Sequence, residues 1–182
     1  MQVTKVSDNT IKAALVVALI ALVVIFRILP HPPNLAPVAA VAIFAGALLP
    51  RKWALSLPVA AMILSDLVIG LHPLILFTWG SFLLIALFSN KYMKSINPGN
   101  VVAASMGSSV FFFLVTNFGV WLEGRLYPLT AGGLFSSYLN AIPFLRNTFV
   151  GDMVFSTLLF GSYVLIYRYV LNRQGSLKLV GA

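Results

Sequence analysis

Cysteine is absent from the chain, and acidic residues number only four against twelve lysines and arginines. The first absence excludes disulfides and thiolate-ligated metals. Charge of either sign is scarce: 9% of the 182 residues, where a soluble domain carries roughly 25%. Several signatures are missing as well. There is no G-x-x-x-x-G-K-[ST], which excludes nucleotide hydrolysis by that route. Neither a G-x-S-x-G elbow nor H-E-x-x-H occurs, and "MGSSV" (106–110) is a small-residue packing stretch. An enzyme is not expected.

What fills the sequence instead is apolar: 60% of residues are hydrophobic and the mean hydropathy is +0.98. That composition belongs to a polytopic membrane protein, expected as one all-α membrane domain over 1–182. The net charge of +8 does not point to nucleic acid. Its basic residues are scattered at the flanks of apolar runs, with no basic patch or interleaved aromatics.

Cut at prolines, glycines and charges, the apolar runs predict six transmembrane helices. They cover about 11–29, 35–49, 53–71, 73–88, 101–122 and 147–171. The first run is longer than a secretory h-region and ends in "RILPHPPN" without a small-residue cleavage site, so it reads as a retained helix. Lys5, Lys12, Arg51, Lys52, Lys91, Lys94, Arg168, Arg173 and Lys178 fall on one side of this arrangement. Only Arg27, Arg125 and Arg146 fall on the other. The positive-inside rule then places both termini in the cytoplasm. Trp53, Tyr92, Tyr167 and Tyr169 fit an inner aromatic belt, Trp121 and Tyr127 an outer one.

The polar residues share a side. Apart from Asp8, the acids Asp66, Glu123 and Asp152 all fall toward the outer ends, as do His31 and His72. Asn117, Asn147 and Thr148 join them. Independent lipid-facing helices have no reason to share this polarity, whereas a water-accessible outer pocket does. An acid within a span is functional by default. Asp66 is expected either to face a ligand or to pair with Arg146 across the bundle, with a buried ion pair or a hydrogen bond to Ser65 or to backbone as the structural alternative. Asp152, one turn into the predicted sixth span, is explained equally by ligand binding and by compensation of a helix N-terminus.

Phe113, Asn117 and Trp121 recur at spacing four and line one helix face, suited to a heteroaromatic or macrocyclic ligand or to interhelical packing. His72, in the loop after the third span, can hydrogen-bond a ligand or supply one axial bond to a metal carried in a macrocycle. As a lone histidine it makes no protein metal site. In the connection 123–146, Leu134, Phe135, Tyr138, Leu139 and Ile142 form an amphipathic stripe. A separate outer helix over 130–142 is expected, as a lid or as an interfacial element. Small residues at spacing four, Ala14–Ala18, Ala36–Ala40 and Ala42–Gly46, permit close helix approach. On the first helix that stripe can instead dock a partner.

With six short helices, cytoplasmic termini and an outer pocket, the chain resembles the S-component of energy-coupling-factor (ECF) transporters. The segments "PPNLAPVAAVAIFAGALLP" and "TNFGVWL … YPLTAGGL … PFLRNTFVGD" also resemble a group of small bacterial six-helix membrane proteins. The resemblance implies an ECF S-component-like bundle in the bacterial cytoplasmic membrane that captures a vitamin-like nutrient. It implies a transmembrane scaffold and ATPase subunits as partners, with Ala14 and Ala18 as the docking stripe, and no resident cofactor. In the solitary cobalamin-transporter branch a cobalt-binding side chain lies in the outer loop after helix three. His72 occupies that loop here, where better-known members have cysteine, and cobalamin is the leading ligand implied. Asp66, His72, Asn117, Trp121, Arg146, Asn147 and Asp152 are the expected substrate-binding residues. The rival expectation is a structural scaffold or assembly factor without a small-molecule ligand.

Overall fold

A computed structural model of the protein describes residues 9–180, with side chains through residue 169. Of the residues used above for topology, Lys5 and Asp8 lie outside the described residues, as do the side chains of Arg173 and Lys178. The chain is all-helical: α1 (Asn9–Ile28), α2 (Val38–Leu48), α3 (Arg51–Ile69), α4 (Ile75–Tyr92), α5 (Pro98–Leu122) and α6 (Ala131–Val180). Five of these, all except α2, are long and apolar enough to cross a membrane. Their exposed faces carry large apolar side chains such as Val17, Leu67, Leu76 and Leu165, as lipid contact demands. This is a membrane protein.

Six spanning helices were expected; five are long enough to cross, and α2 is shorter than its apolar run. α2 has 11 residues, about 16 Å of helix, against a hydrocarbon core of roughly 30 Å. It is shorter than the apolar run because Pro37 caps its start and Leu49 and Pro50 leave the helical region at its end. Every residue of α2 is buried, packed against α3, α4, α5 and α6. A chargeless sequence of Ala, Val, Ile, Phe and Leu with one Gly suits the centre of a bundle, apolar on all sides.

Close packing at α2 depends on Gly46. A Cβ there would lie 2.6 Å from both the Ala86 carbonyl oxygen and Ser89 Cβ, so α4 could not approach. Beside it, the Asn90 amide donates to the carbonyls of Gly46 (2.9 Å) and Leu49 (3.0 Å). Carbonyls at a helix end are costly if left bare, and this amide covers two of them.

The other boundaries follow local chemistry. α5 starts three residues before its apolar run because the Asn97 side chain accepts from Asn100 N (2.8 Å) and Pro98 occupies the first turn. α4 runs on to Tyr92, past the expected end at 88. α6 is a correction: the expected outer helix over 130–142 and the sixth span over 147–171 are one continuous helix. It begins where the Thr130 hydroxyl accepts from Gly133 N (3.1 Å). Pro143 lies within it and removes one backbone hydrogen bond without ending it. In bundles of this kind neighbouring groups re-satisfy the freed carbonyl. Of the amphipathic stripe, Tyr138 packs on α5, its Oη donating to the Leu114 carbonyl (2.9 Å) with the Phe113 and Tyr138 rings 5.6 Å apart, while Phe135, Leu139 and Ile142 are exposed. The segment is therefore no separate lid.

Val16, Leu19 and Val23 form the buried face of α1, and Ala14 and Ala18 lie exposed on the other side. The C-terminal ends of α1, α3 and α5 meet the N-terminal ends of α2 and α4 and the α6 segment around Thr148 at one end of the bundle. The polar residues gather there.

Candidate functional site

The centre of this end is a charge network spanning three helices. Arg27, in the last turn of α1, places Nη1 2.7 Å from Oδ1 of Asp66 on α3. Trp79, in the second turn of α4, donates its indole N–H to Asp66 Oδ2 at 2.7 Å. The same guanidinium donates to the Ser65 hydroxyl and meets Met62 Sδ at 3.1 Å. Ser65 passes its own proton to the carbonyls of Ala61 and Met62 (2.8 and 3.1 Å). Asp66 is fully buried, and the Arg27 side chain retains 16% exposure.

A carboxylate buried among apolar helices is stable only when paired and hydrogen-bonded. Here the pairing partner is Arg27, in correction of the expected Arg146. Both Arg27 and Asp66 stand within one turn of the ends of helices that run in the same direction, so their heads meet at one depth. Arg146 is exposed and makes no ion pair with Asp66.

The chain then turns back over this network. Gly70 ends α3 at φ 112°, a conformation closed to L side chains, while its N–H still bonds to the Asp66 carbonyl (2.8 Å). The reversal sets His72 Nε2 3.7 Å from Asp66 Oδ2. This distance is an electrostatic contact rather than a hydrogen bond.

Next to the network is a cavity of about 430 Å³. Its polar lining comes from Arg27, His31, Asn34, His72, Thr78, Thr148 and Asp152, and its apolar lining includes Met62, Ile69, Phe82 and Phe112. The rings of Phe82 and Phe112 stack at 4.9 Å with a 22° interplanar angle. His31 Nδ1 donates to the Pro32 carbonyl (2.8 Å). Asn34 adopts φ 63°, a left-handed turn that asparagine tolerates better than most residues.

Asp152 forms the second polar centre. It is 2% exposed, and Ser109 on α5 donates to its Oδ2 at 2.6 Å. Ser105 and Ser156 bond to each other between the same two helices (2.8 Å). Because α6 begins at Ala131, Asp152 lies about six turns inside the helix at 3.6 residues per turn. Compensation of a helix N-terminus, the alternative drawn from the sequence, therefore does not account for it: that effect fades within the first turn.

The remaining expected residues sort differently. Asn117 lines a neighbouring cavity of about 310 Å³, which shares Asn34, Thr78 and Phe112 with the first. Its amide donates to the Phe113 carbonyl (2.8 Å). Trp121 lines neither cavity and is a correction: its indole donates to the carbonyls of Pro128 (3.1 Å) and Thr130 (3.2 Å), pinning the α5–α6 loop. Phe113, Asn117 and Trp121 do share one face of α5, and that face receives the start of α6. Asn147 is likewise a brace, donating to the Pro33 carbonyl at 3.0 Å. Arg146 lines neither cavity. Among the described residues no group of three or more His, Cys, Asp or Glu is arranged to hold a metal ion.

Arg27, Trp79, Ser109 and Asn34 are the participants that sequence reasoning missed. Arg27 carried a readable signal, being the one charge near the outer end of the first span at the depth of Asp66 in the third. Trp79 and Ser109 carried none, since indoles and serines are frequent in membrane helices. A third cavity of about 400 Å³, at the opposite end between α4 and α5, is lined mainly by apolar residues such as Ile85, Phe88 and Phe111.

Comparison with curated proteins gives no match, and comparison with solved structures gives none either. A family model described as "Family of unknown function (DUF6580)" matches residues 7–174. The protein that carries this paired-charge network beside a polar cavity is thus a member of the DUF6580 family.

Proposed function

We propose that the protein is a membrane transport protein that binds a vitamin-like small molecule in the cavity beside Arg27 and His72 and mediates its uptake. One observation carries this reading: a cavity of about 430 Å³ with polar groups from α1, the loops at 29–37 and 70–74, α4 and α6 converging on it at one end of an otherwise apolar bundle. Pockets with apolar walls and a few convergent polar groups are the usual form of small-molecule sites. A scaffold without a ligand explains the Arg27–Asp66 clasp but gives no role to Asp152 and His72 around the same hollow.

In this reading all six helices cross, α2 as a short buried pass, with both termini cytoplasmic and the cavity facing outward. The alternation of helix ends at the cavity supports the parity, and the lysine and arginine distribution supports the orientation. The membrane is the bacterial cytoplasmic membrane, and the protein acts as a binding and transport component, not as an enzyme. Ligand entering between the loops at 29–37 and 70–74 would be released inward by reorientation of the bundle. The chain has no nucleotide-binding motif, so energy would come from an ECF-type scaffold and its ATPase subunits. The exposed Ala14 and Ala18 stripe on α1 supports docking there.

The cavity volume lies toward the small end of the roughly 300–1,000 Å³ typical of ligand sites. It favours a molecule of one or two rings over a whole corrinoid. Cobalamin, with His72 toward its cobalt, stays in the proposal as the larger alternative, admitted if the loops open. The test is recovery of the co-purified small molecule by mass spectrometry, together with saturable binding to a panel of thiamin, riboflavin, biotin and cobalamins. Purified, folded protein that releases no small molecule and binds none of the panel would sink the reading.

A further inference from the structure

The two buried carboxylates at the cavity end are not equivalent. Asp66 holds a guanidinium and an indole N–H, each at 2.7 Å. Asp152 is 2% exposed and lines the cavity, yet among the described residues no lysine, arginine or histidine forms an ion pair with it. Its protein donor is a neutral hydroxyl, Ser109 at 2.6 Å. Hydroxyls satisfy a lone pair but supply no countercharge, and a buried carboxylate without an opposite charge is costly. The compensating charge has room to arrive from the cavity.

We infer that Asp152 anchors a positively charged nitrogen, and that the ligand of this cavity is a small ring-bearing organic cation such as an amine, an amidine or a protonated heterocycle. The inference rests on the binding reading above and adds to it the charge of the ligand. The hollow is far larger than a bare metal ion requires, and its oxygen donors are too few to replace an ion's hydration shell. Phe82 and Phe112 offer aromatic surface on the same wall system, and aromatic faces attract cations, most strongly where water is excluded. Arg27, His31 and His72, on the remaining lining, present N–H groups suited to an acceptor at the ligand's other end. The ligand would lie with its cationic nitrogen toward α5 and α6, and its acceptor toward α1 and the α3–α4 turn.

A rival arrangement uses the same atoms without a cation. A protonated Asp152 would donate to Ser109, and Ser109 would donate to the Ser105 carbonyl, which lies 3.0 Å away. The wall would then be neutral, and ligand charge would make no difference.

Benzamidine, benzamide and benzoate separate these cases, because they share a shape and differ in charge. Binding of each to the full chain in lipid nanodiscs is measured by titration calorimetry. The expected result is saturable binding of benzamidine on the order of tenfold or more tighter than of the other two. In Asp152→Asn that preference should shrink to about twofold or less. Equal binding of the three probes, or preference for benzamide or benzoate, overturns the cation assignment. Binding of none of them overturns it too, and the vitamin panel then decides separately whether the cavity binds any nutrient. Thermal stabilisation by sodium that Asp152→Asn abolishes, without benzamidine binding, overturns it in favour of an inorganic ion. Where Asp152→Asn yields no folded protein, the wild-type order of the three probes carries the test.

Discussion

Asp66 and Asp152 are both carboxylates withdrawn from solvent at the same end of the bundle, and the protein treats them in opposite ways. Around Asp66, a guanidinium, an indole and an imidazole from three different segments converge on two oxygens. Around Asp152, serines from one neighbouring helix supply the contact. The first cluster ties α1, α3 and α4 together and has its charge neutralised within the protein. The second joins α5 to α6 and, among the described residues, includes no ion pair. A buried ion pair acts as a structural clasp, whereas a buried carboxylate with only hydroxyl partners is the one we propose to meet a ligand's cation.

The contrast can be broken most forcefully at Arg27. Arg27→Met strands Asp66 without its countercharge and should destabilise the fold by about 3–5 kcal/mol, the usual cost of breaking a buried pair from one side. Loss of folded yield and a lower Tm in detergent check this. The double variant Arg27→Met/Asp66→Leu should recover much of that loss, since apolar replacement of a whole buried pair is often neutral. If the single variant is as stable as wild type, Asp66 is not held by Arg27.

A smaller loss is expected at Trp79→Phe, which removes the indole donor but keeps most of the ring. A hydrogen bond to a charged group is worth about 1.5–3 kcal/mol, and thermal unfolding should show a loss of that order. On the other side of the comparison, Ser109→Ala likewise removes a neutral donor from a carboxylate and should cost about 1.5–3 kcal/mol. A Ser109→Ala loss matching that of Arg27→Met would make the two clusters equivalent and remove the distinction. The smallest effect belongs to His72→Ala. Its imidazole is 3.7 Å from the carboxylate and 34% exposed, so stability should change by less than about 0.5 kcal/mol. A change in ligand affinity with that unchanged stability would place His72 on the binding side of the comparison.

The two clusters were not equally legible in the sequence. Asp66 and Asp152 were visible because a carboxylate interrupts an apolar run, and the shared side of Asp66, His72, Thr148 and Asp152 followed from counting along the helices. Their partners were not visible. Arg146 was as good a candidate as Arg27 by sign and side, and only the helix order places Arg27 beside Asp66. Asn117, Trp121 and Asn147 were read as site residues from type and depth, which do not say whether a side chain points into a hollow or toward a loop carbonyl. Asn117 reaches a neighbouring cavity, while Trp121 and Asn147 hold loops. The outer helix expected from the sequence ends at 142, just before Pro143, a residue that breaks helices in water. In α6 the surrounding packing, with Tyr138 bonded to α5, keeps the helix continuous across it.

By itself the sequence determined that this is an all-helical membrane protein and that its acids and histidines collect toward one end. Hydropathy and charge are properties of each stretch of chain, and they hold whatever the stretch packs against. Only the tertiary structure decided that α2 is a fully buried centre, that Asp66 pairs with Arg27, and that Asp152 faces the cavity without an ion pair to any described residue. Those outcomes depend on which helix faces meet and at what depth. That is set by close packing between residues far apart in the chain, such as Gly46 against Ala86, and no local pattern encodes it.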